Sequence, residues 1–275
     1  IDRAMQMVYI ISRILKRSWI LVGDGGFACL KLGHTCVTSG ATLVSRLRLD
    51  ASLFEDVKIS PVKRRGRKPV KGAKIPNLKE QIKAGSLDWQ ESRIAWYGSV
   101  LKTVKLATGV NLWYKPGEKP LKISWVVVMD PTTNRVEAFF STDINMDHIT
   151  IVETFVLRWN IEVTFEEVRA HLGVETQRQW SEKAIRRTTP ILMGLFSLVC
   201  LIAEAQNKLK KELIQTSKAA WYDKEGLATF SDVLVYVKRI IIQEKYLNES
   251  AQNDDFVQIS RQKWDVLINN YLMAA

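Results

Sequence analysis

The spacing of apolar residues predicts a chain that begins with a helix and continues into strands. Apolar side chains recur every three or four residues from Met5 to Leu15, which is typical of an amphipathic helix. A short apolar run at 19–22 and an alternating segment at 41–49 predict the first two strands. The first of these strands ends at Asp24 within a cluster of glycines, which is where an open α/β sheet places its chemistry.

The pattern changes twice more along the chain. Residues 87–143 predict β-structure, most clearly as a hairpin over 122–140. From Asp147 the pattern is helical, with Asp147 as a cap and Gly173 as a stop. Thr189 is followed by proline, so we expect the next helix to begin there.

Residues 58–83 interrupt the regular pattern with charge. They contain ten Lys and Arg residues against one Glu, and so carry +9 of the chain's net charge of +11. Five prolines and glycines break regular structure, which predicts an exposed basic loop rather than a packed element. Such an excess of positive charge indicates a polyanionic partner.

Composition argues against a membrane or a secreted protein. The longest apolar run, residues 191–203, is shorter than the ~20 residues of a membrane span and predicts a buried core helix. No signal-like segment is visible at the N-terminus. Three cysteines do not form a disulfide framework, so a reducing compartment is expected.

The helix predicted over residues 147–173 carries charges where a buried face is expected. A wheel with 100° per residue places Trp159 in an apolar, core-facing stripe and Glu153 on the solvent side. Buried charges are costly unless they are paired or bind a metal, so the inward stripe indicates either a functional site or a structural ion network. That inward stripe contains Phe155, Arg158, Glu162, Glu166 and Arg169.

The spacing of this stripe resembles the Tyr-Arg-Glu-Lys signature of insertion-sequence DDE transposases. Arg158 and Glu162 match the signature, whereas Phe155 replaces its Tyr and Arg169 replaces its Lys. The segment LVGDGGF resembles the family's second-acid strand, which identifies Asp24 as the second catalytic acid. The segment after that strand and the C-terminal helices are similar too, so the resemblance covers most of the chain.

The resemblance implies an α/β fold with a partial ribonuclease H-like catalytic core, a β-rich insertion and a helical C-terminal part. Residues 1–50 would form part of the core and carry the second acid. Residues 51–146 would hold the basic loop and the insertion. Residues 147–275 would form the helical region with the catalytic Glu helix.

The family's first catalytic Asp lies on a strand well upstream of the second. Only Asp2, at the head of a helix, precedes Asp24 here, so we expect an N-terminally truncated chain that lacks the first acid and is inactive alone. Asp130 is the candidate substitute, but its turn position before a proline favours a structural role.

The chemistry that the resemblance implies is metal-dependent phosphodiester hydrolysis at transposon ends, followed by strand transfer. Two Mg²⁺ or Mn²⁺ ions are expected in the complete enzyme, with Asp24 and Glu162 as metal ligands. Arg158 and Arg169 suit phosphate contact. The expected partner is double-stranded DNA, both transposon ends and target, in the bacterial cytoplasm or nucleoid, with no membrane. Homodimerisation is left open.

Part of the basic segment resembles an AT-hook, whose arginines enter narrow A·T-rich minor grooves. A solvated loop with general phosphate affinity is the alternative. Two other functions also stay open, namely a non-enzymatic basic DNA-binding protein, such as a decayed transposase, and a structural, partner-binding helical protein. The DNA-binding residues predicted in this segment are Lys63, Arg64, Arg65, Arg67 and Lys68.

Overall fold

The chain divides into two compact units, Ile1–Asn160 and Ile161–Ala275, and each is described by itself. The structure is a computed structural model. It describes residues 1–57, 69–96, 100–176, 178, 180–210, 228–250, 260, 262–264 and 266–268.

The first unit is built on a seven-stranded mixed sheet flanked by helices. Its elements, in chain order, are α1 (Asp2–Leu15), β1 (Trp19–Gly23), α2 (Leu30–Thr38), β2 (Ala41–Leu47), β3 (Leu53–Phe54), α3 (Leu78–Ala84), β4 (Gln90–Ala95), β5 (Leu101–Trp113), β6 (Leu121–Met129), β7 (Val136–Ser141) and α4 (His148–Val156). The strand order is β1-β2-β7-β6-β5-β3, and β4 pairs with β5 outside this path. β1 and β2 are parallel, and the other pairs are antiparallel.

Both faces of this sheet are covered, which explains the nearly continuous apolar sequence of β6. Leu43 of β2 joins a core cluster with Leu30 and Cys36 of α2. The next residue, Val44, points to the opposite face and packs with Phe155 of α4. Successive residues of a strand face opposite sides, so β2 contributes to two separate cores.

The second unit is helical, with α5 (Asn160–Leu172, whose first residue still belongs to the first unit), α6 (Glu182–Lys210) and α7 (Phe230–Ser250). Its core is small and centres on Phe230, whose ring stacks on Phe196 with centroids 4.5 Å apart. Gly173 ends α5 in the left-handed region, with φ of 75°, as the sequence predicted.

The basic segment departs from the predicted loop at its C-terminal end. Residues 58–68 lie outside the described residues, but 78–84 form α3. Asn77 and Glu80 form a capping box, and Leu78 is completely buried. The expectation of an unpacked loop is therefore wrong here, because a capped turn and one buried leucine outweigh the flanking charges.

The start and the burial of α6 were predicted wrongly. The helix begins eight residues before Pro190, because the Ser181 hydroxyl accepts a bond from the Ala184 amide and caps it. The run expected to be a buried core leaves Leu198 and Leu201 52% and 61% exposed. Within the described residues, Glu182–Gln206 is the one stretch whose length and composition would let it cross a membrane.

Candidate active site

Asp24 lies where the sequence placed it, directly after β1. Gly23 pairs with Ser45 of the parallel strand β2, and the Ser45 hydroxyl donates a 2.9 Å hydrogen bond to the Asp24 carbonyl. The exposed Asp24 carboxylate accepts a bond from the Gly25 amide and caps the short 3₁₀ turn that follows. The carboxyl ends of two parallel strands thus present an acid to solvent.

The glycine cluster around Asp24 has a steric reason. A Cβ at Gly23 would lie 2.9 Å from Cβ of Phe27, closer than carbon atoms pack. The chain therefore turns tightly enough to leave the strand directly after the acid only because Gly23 has no side chain.

Phe155 is a core residue and not part of a polar stripe. It is 3% exposed, and its ring lies 4.5 Å from that of Phe139 in β7. The Asp147 carboxylate accepts a bond from the Thr150 amide and starts α4, as predicted. The position that holds Tyr in the family signature is thus filled by an aromatic ring that anchors α4 to the sheet.

The predicted helical wheel fails because the helix is not uniform. A 3₁₀ turn, Leu157–Trp159, separates α4 from α5. Such a turn has three residues per turn rather than 3.6, so three residues shift the phase by about 60°. Trp159 is consequently 46% exposed instead of buried. Glu153, predicted to face solvent, accepts a 2.8 Å hydrogen bond from the Ala95 amide at the end of β4.

Two guanidinium groups lie over the Phe155 ring. The Arg158 and Arg46 guanidinium carbons are each 5.8 Å from the ring centroid. Arg46 also contacts Glu137 at 2.8 Å, and Arg135 binds the same carboxylate oxygen at 2.9 Å. Sequence reasoning missed Arg46. Its position two residues after Val44 in the predicted strand indicated that both side chains lie on the same face of the sheet.

Glu162 and Arg169 belong to the second unit, and both are exposed. The expectation that they line an inward stripe is wrong, because Val168 is the one buried residue found on α5 in the part of the chain described. Arg169 binds Glu175 through two nitrogens, at 2.7 and 3.0 Å, and this partner raises the pKa of its guanidinium. The proximity of Asp24 and Glu162 stays a prediction.

Asp130 has the structural role that its turn position favoured. Its carboxylate accepts hydrogen bonds from Lys102 Nζ at 2.6 Å, from the Thr132 amide at 3.0 Å and from the Thr133 hydroxyl at 2.8 Å. These donors, Lys102 first, hold the pKa of Asp130 far below its ordinary value. The carboxylate thereby organises the β6–β7 turn.

The metal and DNA predictions are not tested by this geometry. Carboxylate oxygens such as those of Asp24 are the right donor type for Mg²⁺ or Mn²⁺. In the described ranges, no group of three or more His, Cys, Asp or Glu side chains could hold a metal ion. The predicted DNA-binding residues of the basic segment lie outside the described residues, namely Lys63, Arg64, Arg65, Arg67 and Lys68.

Comparison with known proteins adds one finding. Residues 97–213 match the family described as "Archaeal putative transposase ISC1217". The matched segment begins before β5 and ends after α6, so it includes Phe155, Arg158, Glu162 and Arg169 but not Asp24. No curated protein matches the chain.

Proposed function

We propose that this chain acts in cutting and joining DNA at transposon ends, because the match over residues 97–213 supports an insertion-sequence DDE transposase, as the sequence resemblance indicated. The mixed sheet flanked by helices agrees with the ribonuclease H-like core that the family implies. The reaction proposed is metal-dependent hydrolysis of a phosphodiester, followed by strand transfer to target DNA.

The observation that carries this proposal is the position of Asp24. An exposed carboxylate directly follows the parallel strand β1. In the adjacent strand β2, Arg46 directly follows Ser45, which pairs with Gly23. Asp24 and Glu162 each supply a carboxylate ligand, and Arg158 and Arg169 bind phosphates. When bound, two Mg²⁺ or Mn²⁺ ions stabilise the attacking and leaving oxygens.

The open edge of the sheet supports the proposal that the first acid comes from outside these residues. β1 is the terminal strand, and the described residues provide it with a partner only on the β2 side. Ile20 in this edge strand is 45% exposed. A further strand paired with β1 would run beside it, and an acid at the end of that strand would lie beside Asp24. The 275-residue chain alone is therefore expected to be inactive.

The basic segment is the proposed DNA contact, in the cytoplasm or nucleoid of the host. Residues 58–68 of this segment lie in sequence between Asp56, which follows β3, and Lys71. Asp56 pairs with Lys122, while the Lys71 ammonium lies 3.8 Å from the ring centroids of both Phe54 and Tyr114. These contacts hold Asp56 and Lys71, on either side of residues 58–68, against the sheet. Homodimerisation on paired transposon ends belongs to this proposal.

A non-enzymatic DNA-binding protein is the second candidate. The basic surplus of the sequence supports it, because a transposase that has lost an acid keeps its positive charge. Both candidates bind DNA, and only the first cleaves it.

Nicking of supercoiled plasmid carrying the element's ends separates the two candidates. The enzyme is tested with its upstream sequence restored and with Mg²⁺ added. Nicking should fall to background in Asp24→Asn and Glu162→Gln, because each loses a metal ligand. Glu166→Gln is the matched control, since Glu166 is exposed on the same helix, and it should nick normally.

Two outcomes would contradict the proposal. Equal activity in Glu162→Gln and Glu166→Gln would remove Glu162 from the catalytic set. Mg²⁺-dependent nicking by the 275-residue chain alone, lost in Glu162→Ala, would show that another acid replaces the one proposed to be missing.

A further inference from the structure

Arg46 lies beside Asp24 on the face of the sheet that α4 covers. The parallel register ends at Gly23 and Ser45, so the next residues along the two strands are Asp24 and Arg46. A Cβ added to Gly25 would lie 3.9 Å from Cβ of Arg46, which places the arginine against the turn that Asp24 caps.

Arg46 and Arg158 both contact the Phe155 ring. Each guanidinium carbon is 5.8 Å from the ring centroid, so the two are no more than twice that distance apart. Phenylalanine has no hydroxyl to donate to a phosphate. Donors at this position therefore have to come from the two guanidinium groups over its ring.

Charge in this cluster favours an anionic ligand. Glu137 is shared between Arg46 and Arg135, so these three residues carry a net charge of +1. Glu137 contacts only Nη2 of Arg46 in the described structure, and the Arg46 side chain is 42% exposed. The carboxylate thus orients the guanidinium through Nη2, and Nε of Arg46 is buried, so the Nη1 donors are the ones left for a ligand.

We propose that Arg46 is a phosphate-binding residue that acts with Arg158, and that the pair holds the DNA backbone next to Asp24. This inference rests on the proposed function, because it takes DNA as the substrate. The guanidinium fork matches phosphate oxygens in a planar, two-point geometry that lysine does not reproduce. The resemblance to the family gave no role to Arg46, and only the β1–β2 register and the Phe155 contact place it here.

The test is binding of a fluorescently labelled DNA duplex by the full chain at several salt concentrations. Arg46→Gln should weaken binding about tenfold and lower the slope of log affinity against log salt by about 0.9, as expected for one lost phosphate contact. Arg135→Gln is the matched control, because Arg135 binds the same Glu137 but is 70% exposed. Its slope should not change.

A second variant keeps the test decisive if Arg46→Gln does not fold. Arg46→Lys retains the charge, so its slope should equal that of the unchanged protein, while its affinity should fall because the planar fork is lost. Unchanged affinity in Arg46→Lys would overturn the inference.

Failure of this inference differs from failure of the proposed function. Equal losses in Arg46→Gln and Arg135→Gln would show a general charge effect and overturn the role of Arg46. The same holds if Arg46→Gln binds normally while joint neutralisation of the basic segment from Lys63 to Lys68 flattens the slope. If the unchanged chain does not bind DNA at any salt concentration, the proposed function itself fails.

Discussion

The two units hold their charged residues in different ways. In the first unit Arg46 and Arg158 lie against a buried ring, and a sheet fixes their surroundings. In the second unit Glu162 and Arg169 lie on α5. Among the described residues of this helix, Val168 is the one that is buried. A sheet with two covered faces therefore defines where side chains point, whereas a small helical core leaves most of α5 in solvent.

The largest effect is expected when Phe155 and Phe165 are each truncated and the losses of unfolding free energy are compared. Phe155→Ala should lower the free energy of unfolding by about 3–5 kcal/mol, because it leaves a cavity between α4 and the sheet. Phe165 is 39% exposed, so Phe165→Ala should cost far less. Urea unfolding monitored by circular dichroism measures both. Equal losses would mean that α5 is packed as tightly as α4.

A smaller effect is expected on the pH dependence of folding stability when Asp130 is replaced. The pKa of Asp130 is lowered in the folded state, so its ion pair stabilises the fold above the unfolded pKa of about 3.9. That stability is lost as the pH falls through the lower folded value. Asp130→Asn should therefore unfold more easily than the unchanged protein at neutral pH, with the difference shrinking in strong acid. A constant difference across thermal melts at several pH values would contradict this.

The smallest effect is expected at Arg169. Its pair with Glu175 is half exposed on both sides, so water and salt screen it. Arg169→Gln should leave thermal unfolding almost unchanged while weakening DNA binding. Glu175→Gln is the control, because it breaks the same pair without removing the proposed phosphate contact. A marked loss of stability in both variants would assign Arg169 a structural role instead.

Sequence patterns predicted several features that depend on local signals. The strand before Asp24, the cap at Asp147 and the hairpin of β6 and β7 each depend on neighbouring residues, and the structure confirms them. The start of α6 was missed because Ser181, rather than the more conspicuous Thr189, makes the capping contact.

The candidate site was only partly accessible to the same reasoning. Asp24 could be named because a strand and a turn meet at it. The helical wheel misplaced Phe155 and Trp159 because a 3₁₀ turn between them breaks the phase, and no residue type in the sequence marks that turn. Arg46 was missed because its importance depends on pairing between two strands.

Residue types and their spacing along the chain were enough to predict the family resemblance, most of the strands and helices in their order, and the basic surplus. The tertiary structure decided that Phe155 is core, that Arg46 lies beside Asp24 and that Asp130 holds a turn. The physical reason is that register, helix phase and burial arise from contacts between residues far apart in the chain. The local pattern contains no information about those contacts.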